Sequence, residues 1–214
     1  PPPFTTTSNM FTVGSSTTSQ PIHLAVGDFE NNGSPDLVVV NRQDGSATVF
    51  KNNLTTTGPL SFTPNVFTIP VLLSAPPGAG TRPVQVAVGD VNGDNKLDFV
   101  TANELGNTVA VFFGDGNGTT FTAQTPRLYA ITSASAPTGT NPNSIVIADL
   151  NRDGKLDLVV GANSGNQLFT LKNVGTGPAV DPFSAGTTAY TIGANCVAAA
   201  VADMNGDLNP DVVV

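Results

Sequence analysis

Tryptophan is absent from this chain of 214 residues, which holds one cysteine, one histidine, two tyrosines and eight lysines and arginines together. A lone Cys196 cannot form an internal disulfide, so cysteine usage assigns no redox compartment. The few basic residues form no cluster, which argues against nucleic acid as a partner. No apolar run approaches the length of a membrane span. The start shows neither a signal peptide nor an initiating Met, so the chain reads as a mature product or an excised piece. Nowhere does a 3.6-residue apolar period persist for ten residues, which excludes long amphipathic helices.

What is abundant is acid, and it is placed unevenly. Against eight basic residues stand sixteen carboxylates, for a formal charge of −8. All but Asp44, Glu104, Asp115 and Asp181 lie in four short loops of one design. The first contains Asp28, Glu30, Asn32 and Asp36, and the second Asp90, Asn92, Asp94 and Asp98. Asp149, Asn151, Asp153 and Asp157 make the third, and Asp203, Asn205, Asp207 and Asp211 the fourth. In each, oxygen-bearing side chains stand at positions 1, 3, 5 and 9, between two apolar segments. That spacing suits a hard cation seeking six to eight oxygens, so all sixteen residues are expected calcium ligands, with three to four ions per chain. Four calcium ions would also cancel the formal charge.

Metal-free Asx turns are the plain alternative for any single copy; four copies with the spacing held favour metal. Asp149–Asp157 should be the best site. The first loop should differ most, with Asn32 and the longer Glu30, and the fourth is the doubtful one. At position 6 the sharp turn has Gly33 and Gly154, but also Asn95 and Leu208, and leucine tolerates left-handed backbone poorly.

The first aspartates stand 62, 59 and 54 residues apart, a repeat architecture. Each repeat offers four short strands with turn residues between them, and the first strands are rich in Ala and Gly. Small side chains suit strands crowded near an axis. The expected fold is therefore all-β, a β-propeller of four-stranded antiparallel blades with about three and a half blades present. The division is a single repeat array over 1–214: an extended segment with an outer strand over 1–20, blades at 21–82, 83–141 and 142–195, and a partial blade at 196–214. The outer strand is expected between Phe4 and Val13, and fourth strands over 62–69, 121–131 and 183–192. Phe50, Phe62, Phe112, Phe121 and Phe183 are expected between blades.

The motif Asp-x-Asn-x-Asp-Gly-x-x-Asp between apolar strands, recurring every sixty residues or so, resembles the FG-GAP or VCBS-type repeats of integrin-α-like calcium-binding β-propellers. The loop 149–157 matches fully, and 90–98 departs only at Asn95. The Phe-Gly signature is poorly kept, with Phe113-Gly114 its nearest trace. The resemblance implies a calcium loop between the first and second strands of each blade, and usually seven blades. The remaining blades would come from a longer protein of which this is a piece, or from a second copy of the chain.

That resemblance also implies an extracellular or cell-surface module of binding or adhesion, recognising a protein or a carbohydrate. The alternatives are a structural scaffold or self-assembling surface domain, and a part of a secreted polysaccharide-degrading enzyme. No catalytic residue is expected. His23 sits in an inner strand, Cys196 has no base nearby in sequence, and Arg42, Arg82 and Arg127 look scattered. Absent tryptophan weakens, without excluding, a sugar ligand.

Overall fold

A computed structural model describes residues 10–14, 16–53, 61–70, 81–121, 126–133, 139–175, 180–183, 186–193 and 195–214. Its elements are strands only, and among the described residues no helix is long and apolar enough to cross a membrane.

Alternating and wholly apolar runs bounded by Gly, Asn and Pro produce three meanders. The first comprises β1 (Pro21–Gly27), β2 (Asp36–Asn41), β3 (Ser46–Asn52) and β4 (Phe62–Thr68). The second is β5 (Pro83–Gly89), β6 (Asp98–Asn103), β7 (Thr108–Phe112) and β8 (Arg127–Ala130). The third is β9 (Pro142–Ala148), β10 (Asp157–Ala162), β11 (Gln167–Leu171) and β12 (Thr187–Thr191), followed by a two-stranded sheet of β13 (Ala200–Ala202) and β14 (Asp211–Val213). Each four-stranded sheet keeps its sequence order, and every neighbour is antiparallel. These are the expected blades.

The blades stack through their first strands: β1 lies against β5, β5 against β9, and β9 against β13. The Ala and Gly bias of these strands has a steric cause. A Cβ on Gly27 would come within 2.8 Å of Val88 Cγ1, and one on Gly89 within 3.3 Å of Ile147 Cγ2. Two cores fill the seams. Between the first and second blades Phe99 stacks on Phe112 with ring centroids 4.3 Å apart, edged by Phe67 and Phe121. Val100, Ile145, Leu158, Phe169 and Phe183 fill the second seam. Each fully buried side chain of this size contributes about 1.5–3 kcal/mol, so the seams hold neighbouring blades together.

The structure departs from expectation in three places. No strand forms at 10–14, and residues 1–9 lie outside the described residues. Phe11 instead lays its ring edge-on to Phe50 and Phe62, and the Gly14 N–H is donated to Thr48 Oγ1, so this segment covers the outer face of the first blade without pairing to an edge. Phe50 and Phe62 accordingly pack on that outer face and not in the seam. The fourth strands of the second and third blades are short. Phe121 makes only an isolated bridge to Gly114, and Phe183 stands in a turn; their rings are buried in the seams, and that packing takes the place of pairing.

Candidate metal sites

The four acidic loops join β1 to β2, β5 to β6, β9 to β10 and β13 to β14, all on one rim of the array. They share one hydrogen-bond pattern. The first aspartate closes the turn with both oxygens: Asp149 Oδ1 accepts the N–H of Asp153 at 3.1 Å and Oδ2 that of Gly154 at 2.8 Å. Asp28, Asp90 and Asp203 do the same for the N–H groups at positions 5 and 6. The amide oxygens of Asn92, Asn151 and Asn205 each accept the N–H of position 5. Position 5 accepts the N–H of position 7 in all four loops.

This winding needs left-handed backbone twice in each loop. At position 6 it is taken by Gly33, Asn95, Gly154 and, against preference, Leu208 at φ +68°. At position 4 it is taken by Asn31, Gly93, Arg152 and Gly206, a requirement the sequence hid because Arg152 breaks the pattern.

Position 9 behaves differently from the other three. Asp36, Asp98 and Asp157 are buried, at 0%, 0% and 1% exposure. One oxygen of each accepts the N–H of position 2, from Phe29, Val91 and Leu150 at 2.9, 2.9 and 3.1 Å. The other accepts an N–H sixteen residues later, from Asn52, Gly114 and Asn173 at 2.7, 2.8 and 2.7 Å. Each carboxylate therefore ties its loop to the far end of the third strand. Asp211 makes the first of these bonds, to the Met204 N–H. Burial pushes all three buried carboxyls above the usual range, with the two N–H donors opposing it; Asp98 is pushed up to about 7.

Position 2 has a second role. Phe29 and Val91 bury their side chains in the seam to the next blade, so one residue anchors the loop through its N–H and the seam through its side chain.

The donor chemistry fits calcium. Carboxylates at positions 1 and 5 and an amide oxygen at position 3 are hard oxygen donors. Each oxygen that accepts one N–H keeps a further lone-pair direction. Among the described residues, however, no three acidic, histidine or cysteine side chains already converge as a metal cluster. The first loop differs from the others in one contact. Glu30 Oε1 pairs with Lys51 Nζ at 2.5 Å and Oε2 accepts the Asn32 amide, which draws Glu30 toward the third strand. The fourth loop closes like the others, and hydrogen bonds from the Asn209 N–H and the Asn205 amide hold Asp207 below the usual carboxylate range.

The lone histidine and cysteine, and Arg42, Arg82 and Arg127, each make contacts within the fold. His23 Nδ1 accepts the Val86 N–H at 3.5 Å across the seam, and desolvation lowers its pKa. Cys196 is buried against Gly161, and burial pushes its thiol up. Arg127 pairs with Asp181, which also accepts the Tyr129 hydroxyl, while Arg42 and Arg82 meet on the opposite rim.

Fold and loops together define an array of β-propeller-type blades carrying one acidic loop apiece. FG-GAP-like repeats match at residues 28–101, 90–160 and 149–214, and the chain belongs to that family. FG-GAP repeats are β-propeller-like and suggest a binding or adhesion module. No curated protein sequence matches the chain. Among solved structures it is similar to the selenomethionine-substituted virginiamycin B lyase from Staphylococcus aureus, at 9% identity and a TM-score of 0.47. The match covers 83% of this chain and 43% of that one, so this chain spans less than half the length of its structural neighbour.

Proposed function

We propose that the chain is a calcium-stabilised module of binding or adhesion that works outside the cell. The observation that carries this reading is the fourfold recurrence of one wound loop. Its position 9 carboxylate is committed to the fold in each full blade, while the side chains at positions 1 and 5 are at least partly exposed in every loop. Asp90, Asn92 and Asp94, with Asp149, Asn151 and Asp153, would hold ions best; Asp203, Asn205 and Asp207 offer the same donors. Asp28 and Asn32 would bind more weakly because Glu30 is engaged by Lys51. Bound calcium would supply charge neutralisation and pin the loops, leaving recognition of a protein or carbohydrate to other surfaces. Catalysis is not part of the proposal, since His23 and Cys196 are occupied by packing and hydrogen bonding.

A second reading concerns partners. Met204, the counterpart of buried Phe29 and Val91, is 67% exposed, and Ile22, Leu24 and Val26 of β1 are about half exposed. Further blades, from a longer protein or from a second copy, would cover these surfaces. A scaffold or self-assembling domain would use the same faces.

Isothermal titration of calcium into protein dialysed free of divalent ions tests the metal reading. Three to four ions per chain, with a melting midpoint that rises in millimolar calcium, are expected. No binding heat and no shift would leave the loops as metal-free Asx turns.

A further inference from the structure

A first strand has sheet partners on one side only, so its N–H groups on the other side must find acceptors elsewhere. Here they find them across the seams, and each time from the same repeat position. Five residues before the opening aspartate of successive acidic loops stand His23, Gln85 and Ser144. His23 Nδ1 accepts the N–H of Val86 at 3.5 Å, Gln85 Oε1 that of Ile145 at 2.8 Å, and Ser144 Oγ that of Ala199 at 2.9 Å. The three donors are themselves repeat-equivalent, one residue further along. Three different side chains thus make one rung each, holding the first strand of one blade to the first strand of the next. The fourth blade has Ala198 at this place, which offers no side-chain acceptor.

Only the first rung can be switched by a proton. The Gln85 amide and the Ser144 hydroxyl accept at any ordinary pH, whereas an imidazole nitrogen accepts only while it is bare. Nδ1 is the bare nitrogen here, which places the proton of the neutral ring on Nε2. Once protonated, Nδ1 is a donor aimed at a donor, and the Val86 N–H loses its acceptor. Val86 is 2% exposed, so water has little access to replace the bond, and a buried N–H left unpaired is costly.

The strands packed against β1 are β2 and β5. Neither bears a charged side chain between Leu37 and Asn41 or between Pro83 and Gly89. Next along the chain stand Asp36 at one end, and at the other Arg42 and Arg82, both drawn to Glu104. Desolvation lowers the His23 pKa from its ordinary value, so the ring is the neutral acceptor at neutral pH and takes its proton only in acid. We propose that the seam between the first and second blades is an acid-operated joint: protonation of His23 releases the Val86 N–H and parts β1 from β5 at that rung, while the rungs made by Gln85 and Ser144 stay closed. The joint stands apart from the metal reading. Its contribution to stability is present above the unfolded histidine value of about 6.5 and is lost as pH falls below it. Buried carboxyls with raised values titrate with the opposite sign, so the readout has to be local.

The test is amide hydrogen exchange by NMR on the whole chain between about pH 7.5 and about pH 4.5. Ile145 is the reference for Val86, because the intrinsic pH dependence of exchange is common to both. Relative to Ile145, exchange at Val86 should accelerate at least about tenfold in acid. His23→Gln, which gives the first rung the acceptor of the second, should abolish that acceleration. His23→Ala should leave Val86 fast at both ends of the range. A further check needs no variant, since the chain has one histidine and its ring nitrogens are identified without ambiguity: at neutral pH the proton should sit on Nε2. Val86 and Ile145 keeping step into acid, an acceleration that survives in His23→Gln, or a neutral ring protonated on Nδ1 would each overturn the proposal.

Discussion

Asp98 and Gly114, sixteen residues apart, are joined by a 2.8 Å hydrogen bond from the glycine N–H to the buried carboxylate. The Phe113-Gly114 pair is the nearest trace of the family's Phe-Gly signature, and the structure gives its glycine a reason. A Cβ there would overlap the carbonyl oxygen of Leu97. Gly114→Ala should therefore destabilise the second blade by about 1–3 kcal/mol, in the range of a strained core substitution, read by urea denaturation. An unchanged midpoint would mean that the loop shifts without cost.

Replacing Asp98 with asparagine keeps the shape but turns one acceptor into a donor facing a backbone N–H. At pH 8, where the carboxyl is largely ionised, loss of one charge-assisted bond, with a buried N–H left unsatisfied, should cost about 1–3 kcal/mol. Asp157→Asn should behave alike, since its oxygens accept from Leu150 and Asn173. Substitution at the exposed Asp153 should cost far less stability in metal-free protein. Equal losses at exposed and buried positions would contradict the division of roles within the loop.

Stability of the metal-free chain should fall as pH rises. Burial holds the Asp98 carboxyl at about 7 in the folded state, above its ordinary value, and moves Asp36 and Asp157 the same way. A raised carboxyl favours folding below its unfolded pKa of about 4, and that contribution is lost as pH climbs through about 7. For Asp98 alone the change is about 4 kcal/mol at most. Denaturation at pH 5 and pH 8 in metal-free buffer, for wild type and Asp98→Asn, measures it. A wild-type profile that rises toward pH 8 would contradict the burial argument.

Calcium affinity should separate by loop. Asp149→Asn with Asp153→Asn should remove one ion from the titration and leave the others in place. Glu30→Gln should change the isotherm little, because Glu30 is paired to Lys51. A large loss from Glu30→Gln would show that the ion pair opens in the metal-bound form.

Leu208 holds left-handed backbone at φ +68° while 71% exposed. Leu208→Gly should relieve about 1 kcal/mol of strain and tighten any metal in the fourth loop. Hydrogen exchange at the Asp203–Asp211 amides would read the change, and faster exchange in the variant would refute it.

The strands were legible because apolar alternation and Asn/Gly turns mark them locally; the fourth strand expected over 62–69 forms as Phe62–Thr68. The acidic loops were legible from spacing alone. Less visible was what spacing cannot distinguish. Asp98 and Asp94 read alike in sequence, yet Asp98 is wholly buried and Asp94 partly exposed, because Asp98 opens the strand that carries it inward. Phe121 and Phe183 looked like strand starts because aromatic residues favour strands, but their rings serve the seams. The pairing of Arg42 with Glu104 joins residues 62 apart. Its signal was opposite charge at one repeat position in successive blades, a comparison made only when the repeats are aligned on their loops.

Division of labour inside each loop has an evolutionary consequence. Register is set by one interior carboxylate and two main-chain donors, none of which depends on the identity of positions 3 or 4. Drift at those outer positions, already seen as glutamate for asparagine at Glu30 and arginine for glycine at Arg152, can retune one loop without disturbing its neighbours. A lineage built this way can diversify its ion affinities blade by blade while the stacked strands beneath stay constant.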